Sequence, residues 1–157
     1  MRDATTVITG ATGFLGRELV LHLLGRDRDA HLTLLIRGKD EAEAQARGLS
    51  LLAEQLQGEA LADAVARVDV RRADLERDGL GLAAGAYADL AGRTKGVIHG
   101  AASVSFSLPI DKARAINVEG TRRMLDLARA ARSSIDYIGT AYVAGERRGL
   151  VLESELD

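Results

Sequence analysis

The stretch Thr6-Val-Ile-Thr-Gly-Ala-Thr-Gly-Phe-Leu-Gly16 decides the fold of this chain. A short β-branched run enters it, glycines stand at Gly10, Gly13 and Gly16, and an apolar helical pattern follows directly. The first glycine suits a tight turn, the second lets a phosphate approach the backbone, and the third allows a helix to pack closely on a strand. Free N–H groups and the positive end of the helix dipole then face the anion. This order of strand, glycine turn and helix predicts a site for the pyrophosphate of a dinucleotide.

The helix after this turn is expected to begin at Phe14. Its apolar residues recur at helical spacing and predict one buried face, made of Leu15, Leu19 and Leu23, with Val20 and Leu24 beside them. The glycine spacing is Gly-x-x-Gly-x-x-Gly rather than the Gly-x-Gly-x-x-Gly of the general dinucleotide-binding fingerprint. This difference narrows the choice of dinucleotide-binding families for the chain. The turn and the first helical residues are therefore expected to bind the cofactor, namely Gly10, Thr12, Gly13, Phe14, Leu15 and Gly16.

Length and composition predict one globular domain with a sizeable core. The chain has 157 residues, of which 46% are apolar and 28% charged, and its net charge of −2 provides no bulk attraction to nucleic acid or anionic membranes. The absence of cysteine excludes disulfides, thiolate catalysis and cysteine-based zinc sites. None of the three histidines has the partner spacing of a metal site, so no metal is expected. No apolar run is long enough to span a membrane and no signal-peptide core begins the chain, so we expect a cytoplasmic protein.

Five short β-rich runs alternate with helical patterns, and they cover residues 5–9, 31–36, 67–71, 96–99 and 135–138. Strands separated by helices predict a parallel sheet covered on both faces, which is an α/β arrangement. We expect a Rossmann-type, doubly wound sheet of about five strands in the order 3-2-1-4-5. A nucleotide would then lie at the carboxyl ends of the strands, beside the switch between strands 1 and 4.

The helical patterns between these runs differ in length. A small helix is predicted near residues 87–91, and a long one from residue 111 to about 131, with an apolar stripe of Ile116, Gly120, Met124 and Leu127. Residues 41–66 exceed what a plain crossover requires. Apolar residues at helical spacing favour an extra helical hairpin packed on the sheet edge there, namely Leu49, Leu52, Leu56, Leu61 and Val65. A helix that docks a partner protein is the alternative.

The residues after the second strand decide between the two nicotinamide cofactors. A fold that prefers NAD normally places a carboxylate there, which accepts a hydrogen bond from the ribose 2′-hydroxyl. This chain has Arg37 instead, with Lys39 two residues on, and both are expected to bind the cofactor. Because a guanidinium pairs well with a 2′-phosphate, the sequence favours NADP. A merely solvated Arg37 is the alternative, and the nearby Asp40 weakens the preference for NADP.

Two further strand ends carry candidate cofactor contacts. Asp74, followed by Leu75, comes after the third strand, where its carboxylate can accept from the adenine amino group or cap a turn. Small residues follow the fourth strand and let the backbone lie flat against a cofactor, namely Gly100, Ala101 and Ala102. His99, directly before them, is interpreted as a packing residue at the strand end and not as a catalyst.

Several segments together resemble a known superfamily. They occur in the order Thr9-Gly-Ala-Thr-Gly-Phe-Leu-Gly16, Leu35-Ile-Arg37, His99-Gly-Ala-Ala-Ser-Val-Ser-Phe106, Ile116-Asn-Val-Glu-Gly-Thr121 and Gly139-Thr-Ala-Tyr-Val-Ala-Gly145. The pattern resembles the N-terminal half of an extended short-chain dehydrogenase/reductase. Within that superfamily it is most similar to the thioester reductase and fatty acyl-CoA reductase group of the male-sterility type.

The resemblance implies a reaction and two site residues. The implied reaction is hydride transfer from NADPH to the carbonyl of an acyl thioester, linked to CoA or to a carrier, which gives an aldehyde or alcohol and a free thiol. Asn117 matches the asparagine that supports the active-site hydrogen-bond network, with a polar helix-start residue as the alternative. Thr140 matches the hydroxyl residue that holds the substrate carbonyl, with helix capping as the alternative. Gly139 stands where the family usually has a serine.

The acid–base pair of that superfamily, a tyrosine and a lysine at i and i+4 on one helix face, is missing from the chain. No tyrosine, whether Tyr87, Tyr137 or Tyr142, is followed by lysine at the fourth position. We therefore expect residues 1–157 to be an incomplete NAD(P)-binding domain that begins at a genuine start, is truncated at its C-terminal side and lacks a substrate lobe. The chain alone is expected to show little or no reductase activity and to self-associate through the exposed edge of strand 5.

Two other functions are compatible with the same motifs. A sugar-nucleotide epimerase or dehydratase of the superfamily would share the glycine turn, Asn117 and Thr140. A non-catalytic, nucleotide-binding remnant is favoured by the missing tyrosine–lysine pair.

Overall fold

A computed structural model describes residues 4–155 of the chain. The strands are β1 (Thr5–Thr9), β2 (Leu32–Ile36), β3 (Val68–Arg72), β4 (Thr94–His99) and β5 (Ser134–Tyr137). The helices are α1 (Phe14–Arg26), α2 (Glu41–Ala53), α3 (Gly58–Arg67), α4 (Ala84–Arg93), α5 (Ile110–Arg114) and α6 (Gly120–Ala131). A π-helical turn, Ala115–Glu119, joins α5 to α6, and 3₁₀ turns cover Asp78–Gly81 and Ala141–Ala144.

The five strands form one parallel sheet in the order β3-β2-β1-β4-β5, which confirms the predicted topology. Neighbouring residues of β1 point to opposite faces: Ile8 packs with α1, α2 and α3, whereas Val7 packs with α4 and α6. Both side chains are completely buried, as are Leu52 on the first face and Met124 on the second. Because helices cover both faces, the sheet is doubly wound, and β1 and β2 at its centre are almost wholly buried.

The buried face of α1 is centred on the predicted Val20 and Leu24 and is rotated away from Leu15. Its buried residues are Gly16, Val20 and Leu24, with Leu23 packed against the same cluster, whereas Leu15 is 53% exposed. The reason is the close packing of Gly16 on the glycine turn, which sets the rotation of the helix and directs Leu15 outward.

The predicted hairpin over residues 41–66 is present as α2 and α3. Both helices pack on β3, the strand at one edge of the sheet. Leu52 is buried as expected, but Leu49 on α2 is 44% exposed, because the buried surface of α2 includes Gly48 and Leu51 instead. Val65 on α3 is 40% exposed, since α3 buries Ala64.

The long C-terminal helix carries its predicted apolar stripe, with Gly120, Met124 and Leu127 buried. The π-helical turn within it was not predicted. Such turns insert one residue into the helical ladder and are frequent at functional sites. Asn117 lies in this turn, between α5 and α6, and not at a helix start.

Candidate cofactor-binding site

A cleft of about 510 Å³ opens at the carboxyl ends of the central strands. Its lining comes from the glycine turn, the end of β2, the end of β3 and the segment after β4. This is the crevice where a doubly wound sheet binds its ligand, because the connections from β1 and β4 leave in opposite directions there. The cleft brings together Gly10, Thr12, Gly13, Arg37, Asp74, Leu75, Gly100, Ala101 and Ala102 of the predicted residues.

Two glycines allow the turn to close. Gly10 adopts a φ of 77°, and a Cβ on it would lie 2.6 Å from the carbonyl carbon of Gly100. A Cβ on Gly16 would lie 2.7 Å from the carbonyl carbon of Gly10. Any side chain at either position therefore separates β1 from β4 or α1 from the turn.

The N-terminus of α1 faces this turn. Gly13 is the N-cap residue, its own N–H donates to the carbonyl oxygen of Gly10 at 2.9 Å, and no side chain caps the helix. The first N–H groups of a helix have no partner within it, so they are available to an anion. Phe14 and Leu15 begin the helix with exposed side chains outside the cleft, so only their backbone can contact a phosphate there.

Two arginines line the cleft where it passes the end of β2. Arg37 was predicted, whereas Arg47 on α2 was missed. The Arg47 guanidinium donates to the carbonyl oxygen of Arg37 and, at 3.3 Å, to Oγ1 of Thr12. It therefore lies between the glycine turn and the end of β2. Its position could have indicated this role, because Arg47 follows the N-cap residue Asp40 by seven residues, about two turns, and so lies on the same side of α2 as that cap.

Lys39 and Asp40 belong to the cap of α2 and do not line the cleft. The Asp40 carboxylate accepts from the N–H of Glu43 at 2.8 Å, and the Glu43 carboxylate accepts from the N–H of Lys39 at 2.9 Å. Asp40 thus caps the N-terminus of α2, and Glu43 binds the backbone of the residue before the cap. Because the Asp40 carboxylate is engaged in this cap, no acidic side chain at the end of β2 lines the cleft beside Arg37.

Asp74 makes the turn-closing hydrogen bond that was one of the two roles predicted for it. One carboxylate oxygen accepts from the N–H of Glu76 at 2.9 Å and closes a turn, while the residue also lines the cleft. Leu75 lies between the cleft and α6, where a Cβ on Gly120 would lie 3.1 Å from the Leu75 Cβ.

The segment after β4 is held by Asn117. The amide oxygen of Asn117 accepts from the N–H of Ser103 at 2.7 Å, and its amide nitrogen donates to the carbonyl oxygen of Ser103 at 2.9 Å. One side chain thus satisfies both backbone groups of a residue that lines the cleft. Asn117 itself does not line it.

Thr140 lies on the exposed connection after β5. Its hydroxyl oxygen accepts from the N–H of Tyr142 at 3.2 Å and begins the 3₁₀ turn. Strand β5 runs beside β4, and the N–H of Ile138 donates to the carbonyl oxygen of His99 at 3.0 Å. Thr140 is therefore carried beside the segment after β4 but outside the main cleft.

A sequence profile of the family described as male sterility protein, one of NAD-binding domains, matches residues 8–156, nearly the whole chain. The chain belongs to the male sterility protein family. Membership of this family of NAD-binding domains implies a nicotinamide cofactor.

Curated relatives of this family member include reductases of much greater length. A glycine betaine reductase of Emericella nidulans is 35% identical over 144 residues, which are 89% of this chain and 11% of the relative. A Drosophila melanogaster protein named as a fatty acyl-CoA reductase is 30% identical over 149 residues, 93% of this chain and 27% of the relative. The chain therefore spans between about a tenth and a quarter of these relatives.

Solved structures with a similar fold include domains of peptide-synthetase pathways. The terminal R domain of the myxalamid PKS-NRPS pathway has a TM-score of 0.82 at 34% identity, covering 97% of this chain and 38% of that domain. The reductase domain of a non-ribosomal peptide synthetase from Mycobacterium tuberculosis has a TM-score of 0.74 at 31% identity, covering 92% and 35%. A UDP-glucuronic acid 4-epimerase from Bacillus cereus, at 21% identity and a TM-score of 0.68, shares the fold alone.

Residues 4–155 were compared with the requirements of two other features, a metal site and a membrane-spanning helix. No group of three or more histidine, aspartate or glutamate side chains there has the arrangement of a metal site. Within the same residues, every helix is too short or too polar to cross a bilayer.

Proposed function

We propose that this chain is the NADP-binding part of a reductase that acts on acyl thioesters carried by CoA or by a carrier protein. The observation that carries the proposal is the cleft itself, with an uncapped helix N-terminus beside the glycine turn and two arginines beside β2. The identity to reductase domains of peptide synthetases, at 34% and 31%, supports the substrate class.

The residues present fit a phosphorylated dinucleotide. The first residues of α1, after the glycine turn, offer N–H groups to a pyrophosphate, and the guanidinium groups of Arg37 and Arg47 would hold a 2′-phosphate. Asp74 retains a carboxylate oxygen beyond its turn, which is available to an amino group such as that of adenine. The cofactor, when bound, supplies a hydride for reduction of the thioester carbonyl, with release of an aldehyde and a free thiol.

Thr140 is the residue that would polarise the substrate carbonyl. Its oxygen accepts from the N–H of Tyr142, so its own hydrogen remains available to a carbonyl oxygen. Accepting one hydrogen bond strengthens the hydroxyl as a donor. Capping of the turn and orientation of a substrate therefore use different parts of the same hydroxyl.

The experiment is a nuclear magnetic resonance titration of the amide signals. The chain is saturated with NADPH and titrated either with an S-acyl pantetheine thioester or with a UDP-sugar. We expect the thioester to shift the signals of Thr140 and Tyr142, and the UDP-sugar to leave them unchanged. Thr140→Val is the matched variant, since it removes the hydroxyl at nearly constant volume, and it should abolish the shifts.

Three outcomes would contradict the proposal in different ways. Absence of NADPH binding leaves no cofactor site. Shifts with the UDP-sugar alone indicate epimerase or dehydratase chemistry. Binding of NADPH without a response to either compound indicates a nucleotide-binding module with no substrate contact at Thr140.

A further inference from the structure

His99 is completely buried at the end of β4, yet both of its ring nitrogens are hydrogen-bonded. Nδ1 lies 2.6 Å from Oγ1 of Thr9 on β1, and Nε2 lies 3.0 Å from Oγ1 of Thr121 on α6. The ring also lies against that of Tyr137, with centroids 5.7 Å apart. Burial requires partners for both ring nitrogens, and here those partners tie β4 to two other elements, β1 and α6.

The partners of the two threonines determine where the ring proton is. The Thr121 hydroxyl donates to the carbonyl oxygen of Asn117 at 2.7 Å, because a carbonyl can only accept. Its single hydrogen is used there, so Thr121 can only accept from His99, which places the ring proton on Nε2. Nδ1 then accepts from the hydroxyl of Thr9. All these bonds are compatible with one neutral tautomer.

Both ends of this chain of hydrogen bonds reach the segment after β4. At one end, Oγ1 of Thr9 accepts from the N–H of Ala101 at 3.2 Å. At the other end, Asn117 lies in the π-helical turn and holds the backbone of Ser103. His99 therefore links β1 and α6 across the strand that carries the segment, and the segment lines the cleft.

We propose that His99, neutral and protonated on Nε2, is a positioning residue of the cofactor site. It fixes the backbone from Gly100 to Ser103 through Thr9 on one side and through Thr121 and Asn117 on the other. The positioning role rests on the proposed function, which supplies the cofactor that this backbone contacts. The directions of the hydrogen bonds do not depend on the proposed function. If Nδ1 were protonated, its N–H would point at the Thr9 hydroxyl, and Nδ1 could no longer accept the hydrogen of that hydroxyl.

The first test is the tautomer in the full chain. Selective labelling of the histidines with ¹⁵N distinguishes a nitrogen that carries hydrogen from one that does not. We expect His99 at neutral pH to show a protonated Nε2 and an unprotonated Nδ1. The opposite tautomer, or a doubly protonated ring, would overturn the proposal.

The second test compares amide exchange and cofactor affinity in variants. His99→Leu removes both hydrogen bonds, and Thr121→Val removes one of them with little change in volume. We expect His99→Leu to raise hydrogen exchange at the Ala101 amide about tenfold, as loss of one hydrogen bond implies, and to weaken NADPH binding. His99→Gln retains a donor for Thr121 and should restore part of both. His22→Leu, at an exposed position of α1, is the matched control and should change neither.

The outcomes separate the two proposals. A wild-type chain that does not bind NADPH would refute the proposed function. The hydrogen-exchange data would still test whether His99 holds the backbone after β4. A chain that binds NADPH, with unchanged exchange and affinity in His99→Leu and Thr121→Val, would refute the positioning role. If His99→Leu does not fold, Thr121→Val and the wild-type tautomer still decide.

Discussion

The Asn117 side chain makes two hydrogen bonds with the backbone of Ser103: its amide oxygen lies 2.7 Å from the Ser103 nitrogen, and its amide nitrogen lies 2.9 Å from the Ser103 oxygen. Only a primary amide offers a donor and an acceptor at this spacing. The π-helical turn, Ala115–Glu119, carries this side chain between α5 and α6. The resemblance implied support of the active site by Asn117, and the observed support acts through the backbone that lines the cleft.

Asn117→Ala and Asn117→Asp are predicted to differ at the Ser103 amide. Alanine removes both bonds, so exchange at that amide should rise about tenfold. Aspartate keeps the acceptor for the Ser103 N–H but opposes a carboxylate oxygen to the Ser103 carbonyl, so the amide should remain protected. Both variants should weaken NADPH binding, as measured by NADPH fluorescence. Equal exchange in the two variants would contradict the two-sided arrangement.

Gly16 and Gly25 lie in the same helix and predict opposite effects of alanine. At Gly16 an added Cβ would lie 2.7 Å from the Gly10 carbonyl carbon, so Gly16→Ala should destabilise the fold by about 1–3 kcal/mol. At the exposed Gly25 nothing lies within 4 Å, so Gly25→Ala should stabilise it by about 0.5–1 kcal/mol. Urea unfolding measures both. A neutral Gly16→Ala would show that α1 does not pack on the turn as described.

Much of this architecture could be predicted because its signals are local. The glycine turn, the apolar strands and the stripe through Met124 and Leu127 indicate the sheet order and both layers. The buried face of α1 could not be predicted from its leucines, because the contact of Gly16 with Gly10 is tertiary and sets the rotation of the helix.

The same distinction explains the site. Arg37 could be predicted from its place after β2, whereas Arg47 becomes a cleft residue only through the packing of α2. Lys39 follows Arg37 closely in sequence but lies in the cap of α2. The hydrogen bonds of His99 join residues up to 90 positions apart, so no local pattern could indicate them.

Arg37 and Arg47 are predicted to determine the preference for NADPH over NADH. Each charge-assisted hydrogen bond contributes about 1.5–3 kcal/mol, so Arg37→Ala or Arg47→Ala should weaken NADPH binding about 10- to 100-fold and leave NADH binding nearly unchanged. Arg37→Asp should reverse the preference, because it places a carboxylate where a ribose 2′-hydroxyl can donate. Fluorescence titration with both cofactors provides the measurement.

Lys39→Ala is the informative control for this prediction. Its side chain was predicted to bind the cofactor but lies outside the cleft, so the substitution should change the affinity for NADPH less than either arginine substitution. A loss as large as that of Arg37→Ala would show that Lys39 reaches the 2′-phosphate. Equal affinity of the wild-type chain for both cofactors would contradict the assignment of NADP.

The stability of the chain is predicted to fall in mild acid partly because of His99. Burial lowers the pKa of His99 below its ordinary value, so the folded ring stays neutral while the unfolded ring gains a proton near pH 6.5. The unfolded state then binds more protons, and the free energy of unfolding decreases as the pH falls below that value toward the folded pKa. The urea midpoint should therefore decrease more between pH 7.5 and 5.5 in the wild type than in His99→Gln, with both pH values chosen to lie about one unit either side of the ordinary histidine pKa. Parallel decreases in the wild type and in His99→Gln would show that His99 does not contribute to the effect.

The chain of 157 residues is predicted to bind NADPH without turning over a thioester. Thr140 can orient a carbonyl, but no tyrosine of the sequence has a lysine at the fourth following position to supply a proton. A positioned general acid contributes about 10²- to 10⁴-fold in rate, so its absence should reduce NADPH oxidation to the background. The measurement is the decrease of NADPH absorbance with an S-acyl pantetheine, alongside a fluorescence titration that shows the cofactor is bound. Aldehyde formation above the rate of a Thr140→Val control would show that another group of this chain donates the proton, and Tyr142, whose N–H already contacts Thr140, would be the first to substitute.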